Sequence, residues 1–249
     1  MRMAISCLMC AMASHVIIYG ASRGGRSVGP HEGDHAALIE RFLTTDATLT
    51  SYRAFRTLEA TTRRGKMHAR LTAWTSVDPV QGFQYSIVDE DGSGVLRRRV
   101  LRAALEAERS LRETGDLARG ALSEANYTFT TGDTADGLVR IGLQPKRRDT
   151  MLVEGSMLLT QEAGDLVRVE GWLVKRPSAW TRRVEVVRRY ARIAGVRAPV
   201  SMHSTAQVLM VGASTFSMTY EYESVNGEPV KGLEHRTPEA DTSMRAAGP

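Results

Sequence analysis

A chain of 249 residues with 42% hydrophobic side chains can bury a substantial core, as one large domain or two smaller ones. Its formal charge is +5, but 28 acids alternate with 33 bases, all but four of them arginine, so no general nucleic-acid footprint stands out. The two cysteines, Cys7 and Cys10, both fall in the first apolar stretch; once that stretch is removed, disulfides, thiol catalysis and cysteine-ligated metal are excluded.

Arg2 followed by the apolar run 3–19 reads as a secretory signal, with Gly20-Ala21-Ser22 offering small residues for cleavage. Cys10 follows Met9 and Cys7 sits too early, so lipidation is not expected, and no later stretch is long enough to span a membrane. The expected location is the periplasm, with outer-membrane association left open. Residues 1–22 are then a signal peptide and the glycine-rich 23–33 a flexible lead. Asp34 caps a short helix whose stripe is Leu38, Ile39, Phe42 and Leu43.

From Leu49 the period changes to two. Tyr52, Ala54, Arg56 and Leu58 alternate with Arg53, Phe55, Thr57 and Glu59; after a turn at Arg63-Arg64-Gly65, Met67, Ala69, Leu71 and Ala73 alternate with His68, Arg70, Thr72 and Trp74. Phe83 to Val88 is a third strand, broken by Asp91-Gly92-Ser93-Gly94. Leu96 to Glu113 is the one long helix, with Leu96, Val100, Ala103, Ala104, Ala107 and Leu111 on its apolar side. Arg102–Glu106, Glu108–Arg112 and Arg109–Glu113 are pairs four apart on its exposed side. Arg97, Arg98 and Arg99 oppose the helix dipole at its start, and the sequence supplies no reason for them.

After Tyr127 the chain reads as a meander of strands at 127–131, 137–144, 150–160, 165–175, 181–192, 199–211 and 214–225, with turn residues between them. The inner phase comprises Val153, Val167, Val169, Leu173, Val184, Val186, Val200, Ala206, Val208, Phe216, Tyr220 and Tyr222 with Met67, Met151, Met157, Met202, Met210 and Met218. A sheet of about ten strands must curl or close. The fold class is mainly β (α+β): residues 34–230 form one incomplete barrel of curved antiparallel sheet with a short and a long helix in its concavity, and 231–249 form a disordered tail.

Chemical motifs fail on context. Tyr19-Gly20-Ala21-Ser22-Arg23-Gly24-Gly25 imitates a dinucleotide-binding turn, but no helix follows it and no βαβ units lie downstream. His31-Glu32-Gly33-Asp34-His35 fits a zinc-protease pattern, yet Pro30 and Gly33 disfavour a helix through it and no cleft precedes it. The other histidines are scattered, and no nucleophile, base and orienter assemble. No cofactor, metal or catalytic residue is assigned. Arginine pairs at 63–64, 147–148, 182–183 and 188–189 are either solvated outer positions of strands or a basic patch.

The order of elements, together with Asp165-Leu-Val-Arg-Val-Glu-Gly-Trp-Leu-Val-Lys-Arg-Pro-Ser178 in the stretch from Gly164 to Trp180, resembles the periplasmic lipoprotein-carrier superfamily, which includes the lipoprotein-sorting proteins and their outer-membrane receptor. The resemblance implies an incomplete β-barrel lidded by helices that holds acyl chains, with a working arginine on an early strand, at Arg56 or Arg70. The inner methionines fit such a surface, since flexible thioethers repack around varied apolar shapes; they fit core filling as well. The expected cavity lining is Met67, Leu71, Met151, Val153, Met157, Val169, Leu173, Val186, Met202, Val208, Met210, Phe216, Met218 and Tyr220. The expected function is non-enzymatic binding of a lipid or lipoprotein acyl chain, with a membrane-associated delivery partner conceivable and nucleic acid excluded. The alternatives are a sensor or protein-binding module of the same fold and, less favoured, a hydrolase on a β scaffold.

Overall fold

The computed structural model describes residues 30–44, 48–209 and 212–230. The expected signal peptide, the lead up to residue 29, the tail from 231 and Met210 lie outside them. After helix α1 (Pro30–Thr44) come strands β1 (Tyr52–Thr62), β2 (Met67–Asp78) and β3 (Gly82–Gly92). A continuous helix α2 spans residues 94–113, and then follow β4 (Tyr127–Ala135), β5 (Leu138–Pro145), β6 (Val153–Thr160), β7 (Leu166–Leu173), β8 (Thr181–Ile193), β9 (Val196–Val208), β10 (Gly212–Val225) and the short β11 (Glu228–Pro229).

The strands form one antiparallel sheet in the order β3-β2-β1-β10-β9-β8-β7-β6-β5-β4, with β11 paired to β10. The edges β3 and β4 are sequence neighbours yet lie at opposite ends of that order, so the sheet curls without closing and α2 must cross between its edges. It does so against β1, β2 and β3. The sharp departure from β3 depends on Gly92: its φ of +80° is left-handed, and a β-carbon there would meet the His68 carbonyl oxygen at 2.5 Å.

Inner residues line up in rows across the sheet. In one row Leu71 pairs with Leu58, Leu58 with Met218, Met218 with Met202, Met202 with Arg188, Arg188 with Val169, Val169 with Met157 and Met157 with Ile141. Every member is buried. Three methionines thus share one line across a face seven strand pairings wide, as strict alternation requires.

Several expectations need correction. α1 begins at Pro30, where a missing N–H costs nothing in a first turn, so its backbone runs through residues 31–35 and Asp34 is not its cap. Val167 leaves the inner phase because Leu159 pairs with Leu166 and Leu158 with Arg168, a bulge that skips it. Val200 is half-buried. Glu108 is buried rather than on the exposed side of α2. The i,i+4 partner Arg112 is its neighbour at 3.3 Å, whereas Arg102 turns to Glu90 and Arg109 to Glu106.

The start of α2 explains its arginines in part. Residues Arg97–Arg102 form a π-helical turn, whose five-residue spacing brings Leu96 and Leu101 to the same buried side. Arg102 grips Glu90 on β3 through Nε and Nη2 at 2.7 and 2.5 Å, and Arg97 approaches the same carboxylate at 3.8 Å. The Arg102 hydrogen bonds hold the Glu90 carboxyl below its usual range. Arg98 and Arg99 remain exposed.

Because Leu101 is fully buried while Leu111 packs only partly, in a small separate cluster with Leu117 and Met151, their truncations separate. Leu101→Ala should cost about 2–5 kcal/mol and Leu111→Ala clearly less, measured by urea denaturation. Equal costs would contradict this placement of α2.

Candidate functional site

Among the described residues three arginines are buried, Arg56, Arg188 and Arg197, and the first two stand within the apolar rows of the inner face. Arg188 stands in the methionine row, and Arg56 stands one row away between Ala73 and Tyr220. Alternation puts Arg56 in phase with Ala54 and Leu58, and Arg188 in phase with Val184 and Val186, so both point inward by the same rule that buries their neighbours. Arg70, the other position that the resemblance admitted, is on the outer face, where it is exposed and loosely paired with Glu59 at 3.8 Å.

Arg56 is 0% exposed. Its Nη1 donates to Glu108 Oε2 at 2.6 Å and its Nη2 to Glu108 Oε1 at 3.2 Å, a forked pair between β1 and α2. Nη2 also donates to the Tyr52 hydroxyl, which donates in turn to Glu108 Oε1 at 3.2 Å. The guanidinium carbon lies 4.5 Å from the Tyr220 ring centre, 5.4 Å from Phe83 and 5.6 Å from Tyr52, an aromatic cage around a cation. Met218 Sδ is 3.9 Å from Nη1, so the charged site adjoins the methionine row.

Burial works most strongly against the charged form of Arg56, but Glu108, Tyr52 and Tyr220 together outweigh it and hold its proton affinity well above the ordinary value. Burial raises the phenols of Tyr52, Tyr220 and Tyr222, with the nearby Arg56 cation only partly offsetting it; Tyr220 reaches about 12.

The expected lining residues fall into three groups. Leu71, Val153, Met157, Val169, Leu173, Val186, Met202, Val208, Phe216, Met218 and Tyr220 belong to one continuous buried cluster, against which Met67 packs while partly exposed. Met151 is buried elsewhere, in the turn before β6 beside Leu117. Met210 lies outside the described residues. Helix α1 adds Leu38, Phe42 and Leu43 to the same cluster, and α2 adds Leu96, Val100, Leu101, Ala104 and Leu105. In this state the face is covered, and Met157, Met202 and Met218 are all buried beneath the helices and strands around them.

Glu108 and Arg188 were the residues that sequence reasoning missed. Glu108 follows Leu101 and Leu105 at helical spacing, and Arg188 follows Val184 and Val186 at strand spacing, so each had a periodic signal that its charge overrode. Among the described residues no group of three or more His, Cys, Asp or Glu side chains could hold a metal ion. His35, of the zinc-like motif, places Nε2 3.3 Å from Thr134 Oγ1.

No protein-family model matches the chain, and no curated protein matches it. Solved structures similar to it include a LolA superfamily protein from Nitrosomonas europaea, 11% identical, with 80% of this chain and 94% of that one covered at a TM-score of 0.36. A DUF1329 family protein from Desulfovibrio piger is 10% identical, with 83% and 96% covered and a TM-score of 0.37. A putative outer membrane lipoprotein-sorting protein domain from Vibrio parahaemolyticus is 11% identical, with 81% and 93% covered and a TM-score of 0.33.

Removing one charge of the central pair strands the other. Glu108→Gln should cost about 3–5 kcal/mol, whereas Arg56→Met combined with Glu108→Leu should recover most of that loss, since apolar replacement of a buried pair is often neutral. Chemical denaturation of the two variants checks this, and equal losses in both would show that packing, not charge, sets the cost.

The tyrosines set an alkaline limit. Below pH 10 both folded and unfolded states keep the phenol protons; above it the unfolded chain ionises first, so stability present at neutral pH is lost from about 10 upward, through the Tyr220 value of about 12. Phenolate absorbance in a pH titration should therefore show a late fraction that rises together with unfolding.

Proposed function

We propose that this chain is a non-enzymatic periplasmic protein that takes an acyl chain of a lipid or lipoprotein against the inner sheet face, with α2 as a cover that must lift. The observation that carries the reading is the pairing of a methionine row with a buried charged latch between sheet and cover. A helix needed only for stability gains little from such a latch, because well-packed apolar residues serve a static interface as well or better. Rows of methionine add a surface that repacks around a guest. Each methylene that a guest buries there contributes about 0.8 kcal/mol, so a long chain can offset the cost of displacing the cover.

The export component rests on the apolar run after Arg2 and the small residues 20–22. Among the described residues no helix is long and apolar enough to cross a membrane. Intact-mass measurement of the periplasmic protein should show the loss of residues 1–22; a cytoplasmic form that keeps Met1 would refute export.

A fluorescent fatty acid should bind the purified protein and be displaced by unlabelled lipid. Met157→Gln, Met202→Gln and Met218→Gln together should weaken binding, and Arg189→Gln on the outer surface should not, with thermal melts run alongside to separate binding from stability. Folded wild-type protein that takes up no probe would turn the reading towards a protein-binding module of this fold.

A further inference from the structure

The sheet order brings the arginine pair 63–64 together with Arg182, far apart in sequence. Because β1, β10, β9 and β8 are successive neighbours, the turn after β1, the start of β8, the end of β9 and the start of β10 meet at one end of the sheet. There Arg63, Arg64, Lys66 and Arg182 line a pocket of about 790 Å³ with Gln207, Val208, Leu209 and Gly212. The stem of Arg64 lies over Gly212, 3.9 Å from where a β-carbon there would sit. No acid lines the pocket, and none of these four cations is ion-paired among the described residues. Many arginines elsewhere face a carboxylate, among them Arg102, Arg119, Arg140, Arg168 and Arg192, and the other exposed arginines do not gather with a lysine around one pocket as these do.

The rim is apolar and aromatic. Trp180 is 46% exposed, and its carbonyl accepts the Leu209 amide at 2.8 Å, which fixes both at this end. An indole half in water beside unneutralised arginines is the residue pattern of a bilayer interface, where the ring sits at headgroup level. All four cations are exposed, so they present a broad positive surface rather than a shell closed around one small anion.

We propose that this end of the sheet docks onto a bilayer surface rich in anionic phospholipid headgroups. Arginine forks match phosphate oxygens bidentately, and the positive surface concentrates near a negative membrane before contact. The docking stands independently of acyl binding, although Val208, an inner-face residue, lines the same pocket and would bring the interior close to the headgroups.

Vesicle co-sedimentation tests it, comparing phosphatidylglycerol mixed into phosphatidylcholine with phosphatidylcholine alone. The wild-type protein should bind only the anionic vesicles, and less so at high salt. The triple variant R63N/R64N/R182Q should bind roughly a hundredfold more weakly, at about fivefold per cation; asparagine suits the left-handed φ of 53° and 56° at the two turn positions. A triple variant with the same loss of charge elsewhere, R41Q/R53Q/R189Q, should bind close to wild type. Should the first triple fail to fold by circular dichroism, Trp180→Ser on the exposed rim should itself weaken binding. Refusal of anionic vesicles by folded wild-type protein, equal weakening by both triples, or binding of inorganic phosphate or an oligonucleotide in place of vesicles would overturn the proposal.

Discussion

Arg56 has no access to water, so its charge has to be answered inside the protein, and the carboxylate that answers it belongs to the helix crossing the open side of the sheet. That single requirement ties strand β1, third from one edge of the sheet, to α2. It fixes which side of α2 faces inward, and it holds Tyr52, Phe83 and Tyr220 around the cation. A buried ion pair brings large opposing terms, desolvation against attraction, and a small net contribution. Its value lies in specificity: a helix sliding by one residue would lose the fork and strand both charges.

The remaining contacts divide the labour. At the exposed edge, the grip of Arg102 on Glu90 and the stacking of Arg109 on Tyr85, 4.7 Å from its ring centre, hold α2 to β3 through solvent-accessible pairs that are individually weak. At the other side, α1 sends Leu38 and Phe42 into the same core, with Arg197 lying 4.2 Å over the Phe42 ring. The sheet therefore carries two covers, and α2 is fastened through the buried pair of Arg56 and Glu108. The contact of α2 with the sheet thus combines a buried charge pair with apolar packing by Leu96, Val100, Leu101, Ala104 and Leu105.

Much of this was legible along the chain. Strand alternation from Tyr52 to Ala73 and from Val153 to Tyr222 reports the inner face directly, because a period of two leaves each side chain only two directions. It falters where the ladder does: the bulge that expels Val167 lies in how β7 meets β6, and nothing within β7 announces it. Helix α2 was visible in its periodicity, but Arg98 and Arg99 gave no sign that a π turn would precede the regular helix. Composition pulled in the wrong direction at Glu108 and Arg188, since a charge read alone argues for solvent while its phase argued for the interior.

By itself, then, the sequence determined the class of the fold, the phase of most strands and the greasy character of one face, because these are local properties of spacing and side-chain chemistry. Tertiary structure decided which of Arg56 and Arg70 is buried, that Glu108 is its partner, and that Arg63, Arg64, Lys66 and Arg182 share one unneutralised end. Those facts depend on strand order, register and helix placement, which bring Arg56 to Glu108, 52 positions on, and Arg64 to Arg182, more than a hundred positions on. No short window of sequence contains that information.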